Sequence, residues 1–343
     1  MALAAMLMGA LVVGCLGVQP VPAPSFPPGA GTPSAVPNAG RVPGELVVAV
    51  PADPQGFIPG PTDETTTLVN DLLYDSLYRL DRSLLPQPAL ASALPDVSDD
   101  GLTWTVPLRS GATSHAGASI TAADAAFTLR LALSGACPFD RDLCAAVAAN
   151  LRGASAPDAT RLQVVLRSPW APFLSQVLGT MPVLSEAAVL EATQQLRDAA
   201  TGLDAETLRA RIDGITSETN AERCLVTAPP SGCRLSDYAT ELESILADAG
   251  VSVPPPERSA GVDGGVDEED HSAALLESVS DLAGMLGSEG MDAMASAVAL
   301  VDVVQRPLGG GPFRLVAYQR GEAVELLRHD GHVPEPASLE RIR

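Results

Sequence analysis

The sequence predicts a mixed α/β fold with a long helical segment, and three observations predict it. Strand-like and helix-like runs alternate from Glu45 to about residue 186. Residues 187–305 then carry helical spacing broken only at proline- and glycine-rich points. After them, Phe313–Tyr318 and Glu322–Arg328 read as two strands around Arg320-Gly321, a hairpin. With 343 residues, 46% of them hydrophobic, the chain is long enough to bury a substantial core.

The elements follow in order. Glu45–Val50 (ELVVAV) reads as a buried strand ended by Pro51. Thr65–Leu80 places Leu68, Leu72, Leu73, Leu77 and Leu80 at helical spacing. Leu102–Leu108 alternates as a strand after an Asp99-Asp100-Gly101 turn, with Pro107 suited to an edge or a bulge. Thr121 and Asp124 form a capping-box pattern that opens a helix running to about Ser134. Arg161–Ser168 is a strand and Trp170–Leu178 a short helix. The run Gly261–Asp270 (GVDGGVDEED) lacks the alternating ligands and closing glutamate of a calcium loop, so it reads as a disordered acidic linker.

Composition excludes several functions. The net charge is −21, and all 21 basic residues are arginines. A nucleic-acid partner needs a basic face, which this balance does not supply. The absence of lysine excludes a lysine nucleophile and a Walker-type lysine. Gly309–Gly311 is followed by a strand, so it is not a phosphate loop, and no Ser-His-Asp arrangement stands out. No catalytic residue, metal site or cofactor is expected.

The first residues bear on compartment. Ala2–Gly14 is almost wholly apolar, shorter than the roughly 20 residues of a membrane span and of the length of a signal-peptide core. It runs into Val12-Val13-Gly14-Cys15, the small-residue-then-cysteine pattern of a bacterial lipobox, although no Arg or Lys precedes it. Residues 1–15 are therefore expected to be a lipoprotein signal with Cys15 as the lipidation site, anchoring the protein to the membrane outside the cytoplasm. Leu16–Gly44, with eight prolines, is expected to be a tether. It would reach roughly 30 Å as a coil and about 90 Å as polyproline II. Cys137, Cys144, Cys224 and Cys233 allow three pairings, of which the local pairs Cys137–Cys144 and Cys224–Cys233 are the natural choice. Zinc is the rival reading, but there is no CxxC knuckle and no nearby histidine.

Between Leu77 and Ala126 a dense set of residues keeps a fixed order and spacing. It comprises Pro88, Leu90 and Ala91, then Asp100, Gly101, Leu102, Thr103 and Trp104, then Leu108, Arg109, Gly111, His115, Gly117, Thr121, Ala122 and Asp124. This stretch resembles the family 5 bacterial extracellular solute-binding proteins, the family of dipeptide, oligopeptide and nickel importer receptors. Met181–Leu184 and Gly309–Phe313 resemble two further family segments. The resemblance implies a type II periplasmic-binding-protein-like fold. It also implies hinged capture of a small solute, a peptide by preference, with delivery to ABC permease subunits and without enzymatic chemistry or cofactor. It covers residues 45–186 and the return hairpin 306–343, with 187–305 as the insertion. The family's distal lobe would follow the hairpin, so that lobe is expected to be missing here. The alternative is a truncated lipoprotein with a structural or protein-interaction role.

The resemblance places the loop after the first strand at the cleft, making Gln55, Phe57 and Ile58 candidate ligand contacts, with Tyr74 and Trp104 beside them. His329 and His332, near Asp330, invite a metal reading. Gly331 between them favours a turn, and a solvated loop is the expectation.

Overall fold

The structure is a computed structural model of the chain. It describes residues 44–58, 63–225, 230–253, 265–301, 303, 306–319 and 321–343. The expected lipoprotein signal, with Cys15, and residues 16–43 of the expected tether lie outside them.

Among the described residues, ten strands make three sheets. Strands β4 (Asp96–Val97), β5 (Thr103–Pro107), β6 (Leu151–Asp158) and β7 (Arg161–Leu166) form a four-stranded antiparallel sheet in the order β4-β5-β7-β6. Its alternation buries Trp104, Val106, Leu162, Val164 and Leu166. Helix α2 (Ala122–Ala132) packs across β6 and β7 with Phe127, Leu129 and Leu131 fully buried. A second sheet has the order β1-β10-β9-β8, from β1 (Glu45–Leu46), β8 (Phe313–Gln319), β9 (Ala323–Arg328) and β10 (Arg341–Ile342). β8 and β9 form the expected hairpin, and β1 pairs parallel with β10. A two-stranded ribbon, β2 (Tyr78–Leu80) with β3 (Pro86–Pro88), completes the strands.

Several expectations are corrected. Glu45–Val50 is not a buried strand. Only two residues pair, at the sheet edge, and Leu46, Val47, Val48 and Val50 are exposed, Val47 to 70%. An apolar run signals extended backbone but does not supply the surface that covers it. The helix read over Thr65–Leu80 is α1 (Glu64–Leu73) alone, capped at the start by the Asp63 carboxylate. Tyr74 turns to extended backbone, and Leu77 and Tyr78 are buried on a strand path. The leucine spacing continued past the helix by coincidence of burial. Trp170–Leu178 contains a five-residue π-helical turn, Leu174–Leu178. Helix α3 (Arg141–Asn150) and strand β6 were not read from the sequence at all.

Beyond residue 185 the chain is helical: α4 (Glu186–Ala199), α5 (Ala205–Thr219), α6 (Ala239–Asp248), α7 (Gly265–Leu286) and α8 (Gly290–Val298). These helices bury their own cluster, built on Leu196, Ile215, Leu242, Leu246, Val279 and Leu282, separate from the core of the sheets. The acidic run is not a disordered linker over Gly265–Asp270, because those residues open α7. The Glu269 carboxylate accepts from the backbone N–H groups of Leu235 (2.8 Å) and Ser236 (3.2 Å), which gives the charge a structural partner. Both local disulfides are present, Cys137–Cys144 and Cys224–Cys233.

One carboxylate joins the sheet region to the helical one. Asp124, 7% exposed, closes the capping box of α2 by accepting from Thr121 N (2.8 Å). Its other oxygen accepts from Glu186 N (2.9 Å), the first residue of α4. Thr128 extends the same joint, donating to Asp124 O and accepting from Leu184 N. Asp124→Ala orphans amides at two helix starts. It is expected to cost about 2–3 kcal/mol, read as a lowered urea midpoint with unchanged slope.

Candidate functional site

The loop that follows β1 lies over α1 and the β8–β9 hairpin, and side chains of α1 and of Tyr74 just beyond it hold its backbone. Thr66 Oγ1 accepts from Gln55 N (2.7 Å), Asn70 Nδ2 donates to Ile58 O (3.2 Å), and the Tyr74 hydroxyl donates to Phe57 O (2.7 Å). The Phe57 ring meets Tyr318 of β8 edge-on at 4.9 Å. Asp53 accepts from Gly321 N at the hairpin turn (2.9 Å). Gln55 is exposed and Phe57 and Ile58 are half-buried, so the loop presents side chains from a backbone that is fixed in place. Asn70 Oδ1 is buried and has no partner.

The structure brings Gln55, Phe57, Ile58 and Tyr74 together and sets Trp104 apart. Tyr74 is 6% exposed, and burial pushes its phenol far above the ordinary value of 10.0. It therefore acts as a neutral hydroxyl donor to the loop. Trp104 sits inside the β4–β7 sheet region, edge-on to Phe173 at 5.3 Å, with Nε1 donating to Gly101 O. Sequence reasoning missed Thr66, Asn70 and Tyr318. Thr66 and Asn70 lie on the α1 face that meets the loop, four residues apart, a spacing with the signal of a shared helix face.

Beneath the loop is a close backbone junction. Gly311 N donates to Leu73 O (3.0 Å) and His115 N donates to Gly309 O (2.9 Å). A Cβ on Gly309 would stand 2.5 Å from Leu73 O, and one on Gly311 would stand 2.5 Å from the Tyr74 nitrogen. Two imidazoles converge on the Gly311 carbonyl, His115 through Nε2 and His329 through Nδ1, each at 3.1 Å, with their rings edge-on at 5.0 Å. His329 also meets Thr113 Oγ1 at 3.1 Å. Burial holds His115 down to about 4 and lowers His329, so both are neutral donors at neutral pH.

His329 and His332 are therefore not on a solvated loop. His329 is 8% exposed, and the His332 side chain is buried against Asp75. The turn that Gly331 makes folds both rings inward. Among the described residues no group of three His, Cys, Asp or Glu side chains could hold a metal ion, and no helix is long and apolar enough to cross a membrane. An open pocket of about 280 Å³ lies elsewhere, between α4 and α8, lined by Leu190, Arg197, Glu289 and Met294 among others. The Arg197 guanidinium there is engaged by Met285 O and Ser288 O.

Comparison with known proteins agrees with the motif. Residues 86–208 match the family described as bacterial extracellular solute-binding proteins, family 5 Middle. The resemblance read from the sequence is shown over that stretch, and the family is a solute-binding, non-enzymatic one whose name fits a location outside the cytoplasm. Protein XP55 of Streptomyces lividans is 32% identical over 117 residues, covering 34% of this chain and 20% of that protein. NikZ from Campylobacter jejuni, solved in complex with Ni(L-His), superposes with a TM-score of 0.50 at 13% identity, over 87% of this chain and 38% of that one. The oligopeptide-binding protein AppA from Bacillus subtilis, solved with a nonapeptide, gives 0.49 at 16% identity over 87% and 39%. The similarity to NikZ is one of fold: type II periplasmic-binding-protein-like, as expected. The chain spans a fifth of the curated relative's length.

Two outcomes test this geometry. Gly311→Ala drives a methyl into backbone and is expected to prevent native folding, read as loss of a cooperative thermal transition. For His115, the folded state binds a proton less readily than the unfolded state, whose ordinary value is 6.5. Its contribution is intact above pH 6.5 and is lost as pH falls toward about 4, by at most about 3 kcal/mol. Urea midpoints in wild type should fall over that interval, and His115→Asn should flatten the fall.

Proposed function

We propose that the chain is the solute-receiving part of a substrate-binding lipoprotein of an ABC importer, capturing peptides or similar small solutes outside the cytoplasmic membrane. The observation that carries this reading is the family 5 match over residues 86–208. It is supported by a loop, Gln55–Ile58, whose backbone is pinned by two α1 side chains and by Tyr74 at the end of that helix, while its side chains stay available. A binding surface gains affinity when its backbone is ordered before the solute arrives, because less conformational entropy is lost on binding. Gln55, Phe57 and Ile58 are the proposed contacts, and Tyr74 is the residue that positions them. Trp104 serves the core in this reading. Backbone carbonyls and N–H groups of an extended peptide fit a site with exposed amide chemistry at Gln55 and an apolar face at Phe57 and Ile58. Cys15 is the proposed lipid attachment, residues 16–44 the tether and residues 187–305 a helical insertion. The partners are a small solute and permease subunits.

A second reading rests on a specific observation. The α4–α8 helices hold a core of their own, which suits a protein-interaction role independent of solute.

Calorimetry of the full chain against a pool of tri- to nonapeptides tests the receptor reading. Saturable binding that Gln55→Ala and Phe57→Ala weaken about tenfold or more supports it. Absence of heat with a folded protein favours the interaction role. Labelled fatty-acid incorporation in a bacterial host should be seen in wild type and be lost in Cys15→Ser.

A further inference from the structure

Three of the four histidines gather at the end of α1, and two of them have partners that suit a neutral ring. His329 donates through Nδ1 to a carbonyl and meets a threonine hydroxyl at Nε2, a group that donates as readily as it accepts. His115 needs one proton, on Nε2. His332 differs. Its Nδ1 lies 2.8 Å from Glu335 O, a carbonyl that can only accept. Its Nε2 lies 2.8 Å from Asp75 Oδ2, a carboxylate oxygen that also only accepts. Glu335 O calls for hydrogen on Nδ1, and a second proton on Nε2 turns the ring into an imidazolium that faces the carboxylate charge at that distance. The Asp75 contact is close but out of line for a hydrogen bond, so its attraction is that of opposite charges. The side chains are 8% and 2% exposed, which keeps solvent from screening the pair.

We propose that Asp75 and His332 form a proton-operated latch that fastens the β9–β10 connection to the end of α1. The connection runs from Arg328 to Glu340, and its fixed ends are the strand pairs that also hold β1. Asp75 is a rigid anchor: its carbonyl accepts from Val183 N (2.8 Å) and its other oxygen pairs with Arg79. Its chain neighbour Tyr74 holds Phe57 O, so the latch lies one residue from the side chain that positions the candidate loop.

The charged groups around the latch are few. Asp75 faces His332 from just past α1 and Arg79 faces it from β2, and Asp71 lies on α1 within the field of Arg79. His329 faces it from the same turn, His115 faces His329, and Arg314 on β8 faces His115. Arg328 and Asp330 pair with each other at the mouth of the turn. Burial pulls His332 down, but the Asp75 contact and its charge outweigh it and leave the group above its ordinary value of 6.5. The raised value fixes the sign. The latch contributes fully below pH 6.5 and is lost as pH rises through the folded value. His115 and His329 act in the opposite sense, losing their contribution as pH falls. The two limbs leave an optimum between them.

The test is an NMR titration of the imidazole Cε1–H signals in the full chain, with His332 assigned from the signal missing in His332→Gln. The expected midpoint for His332 is above 6.5, and Asp75→Asn, which leaves burial without the charge, is expected to bring it below 6.5. A wild-type midpoint at or below 6.5, or one that Asp75→Asn does not move, overturns the latch. Because Asp75→Asn risks misfolding, urea midpoints at pH 6 and pH 8.5 give a second reading. Wild type should lose more stability over that interval than His332→Gln. Equal losses overturn the proposal.

Discussion

The backbone of Gly309–Gly311 lies so close to the end of α1 and to the Thr113–His115 turn that a single methyl group would collide with main-chain atoms on either side. This contact brings the first third of the chain and its last hairpin together across about 200 residues. Everything near the candidate site depends on it. Gly311 N closes on Leu73 O, which fixes where α1 ends; that places Tyr74 under Phe57 and Asp75 against His332. Two neutral imidazoles then satisfy the Gly311 carbonyl, which would be costly to bury alone. His115 and His329 are in this sense structural donors, held neutral by burial.

The same logic explains the family signature. Gly101 sits at a positive φ of 71° in the turn before β5, and Arg109 Nε donates to Ala89 O, joining the strand end to the ribbon. Thr121 and Asp124 cap α2, and Asp124 reaches across to start α4. His115 belongs to the glycine junction. The residues that make the sequence recognisable are those that fix turns, caps and close approaches, while the side chains proposed to meet a solute lie on the loop before them. Recognition of the family and location of the ligand therefore rest on different residues. A motif built from structural necessity identifies the scaffold and is silent about its cargo.

The helical region after residue 185 has its own means of staying folded. Its helices share a core from Leu196 to Leu300, and carbonyls at the end of α7 are taken up by Arg197 and Arg209 from α4 and α5. The Cys224–Cys233 bond closes the α5–α6 connection. Contact with the sheet region runs through α4 and α8 against α2, where Ala295 and Val298 join the larger cluster.

The sequence by itself determined the α/β class, the β8–β9 hairpin, the α2 capping box, the helical character after residue 185 and both disulfides. Each rests on interactions between residues near one another in the chain, where spacing and composition carry the information. Only the tertiary structure decided where α1 stops, because Leu77 is buried in the bend before β2 as fully as it would be on a helix. It also decided that Val47–Val50 are exposed, since an apolar run does not name the surface that covers it. The acidic residues 268–270 became helix because Glu269 found amides at Leu235 and Ser236, some 33 residues away. His329 and His332 looked like a surface turn until Asp75 and Thr113, more than 200 residues earlier, were brought beside them. Long-range partners change the sign of burial and of charge stabilisation, and no local pattern records them.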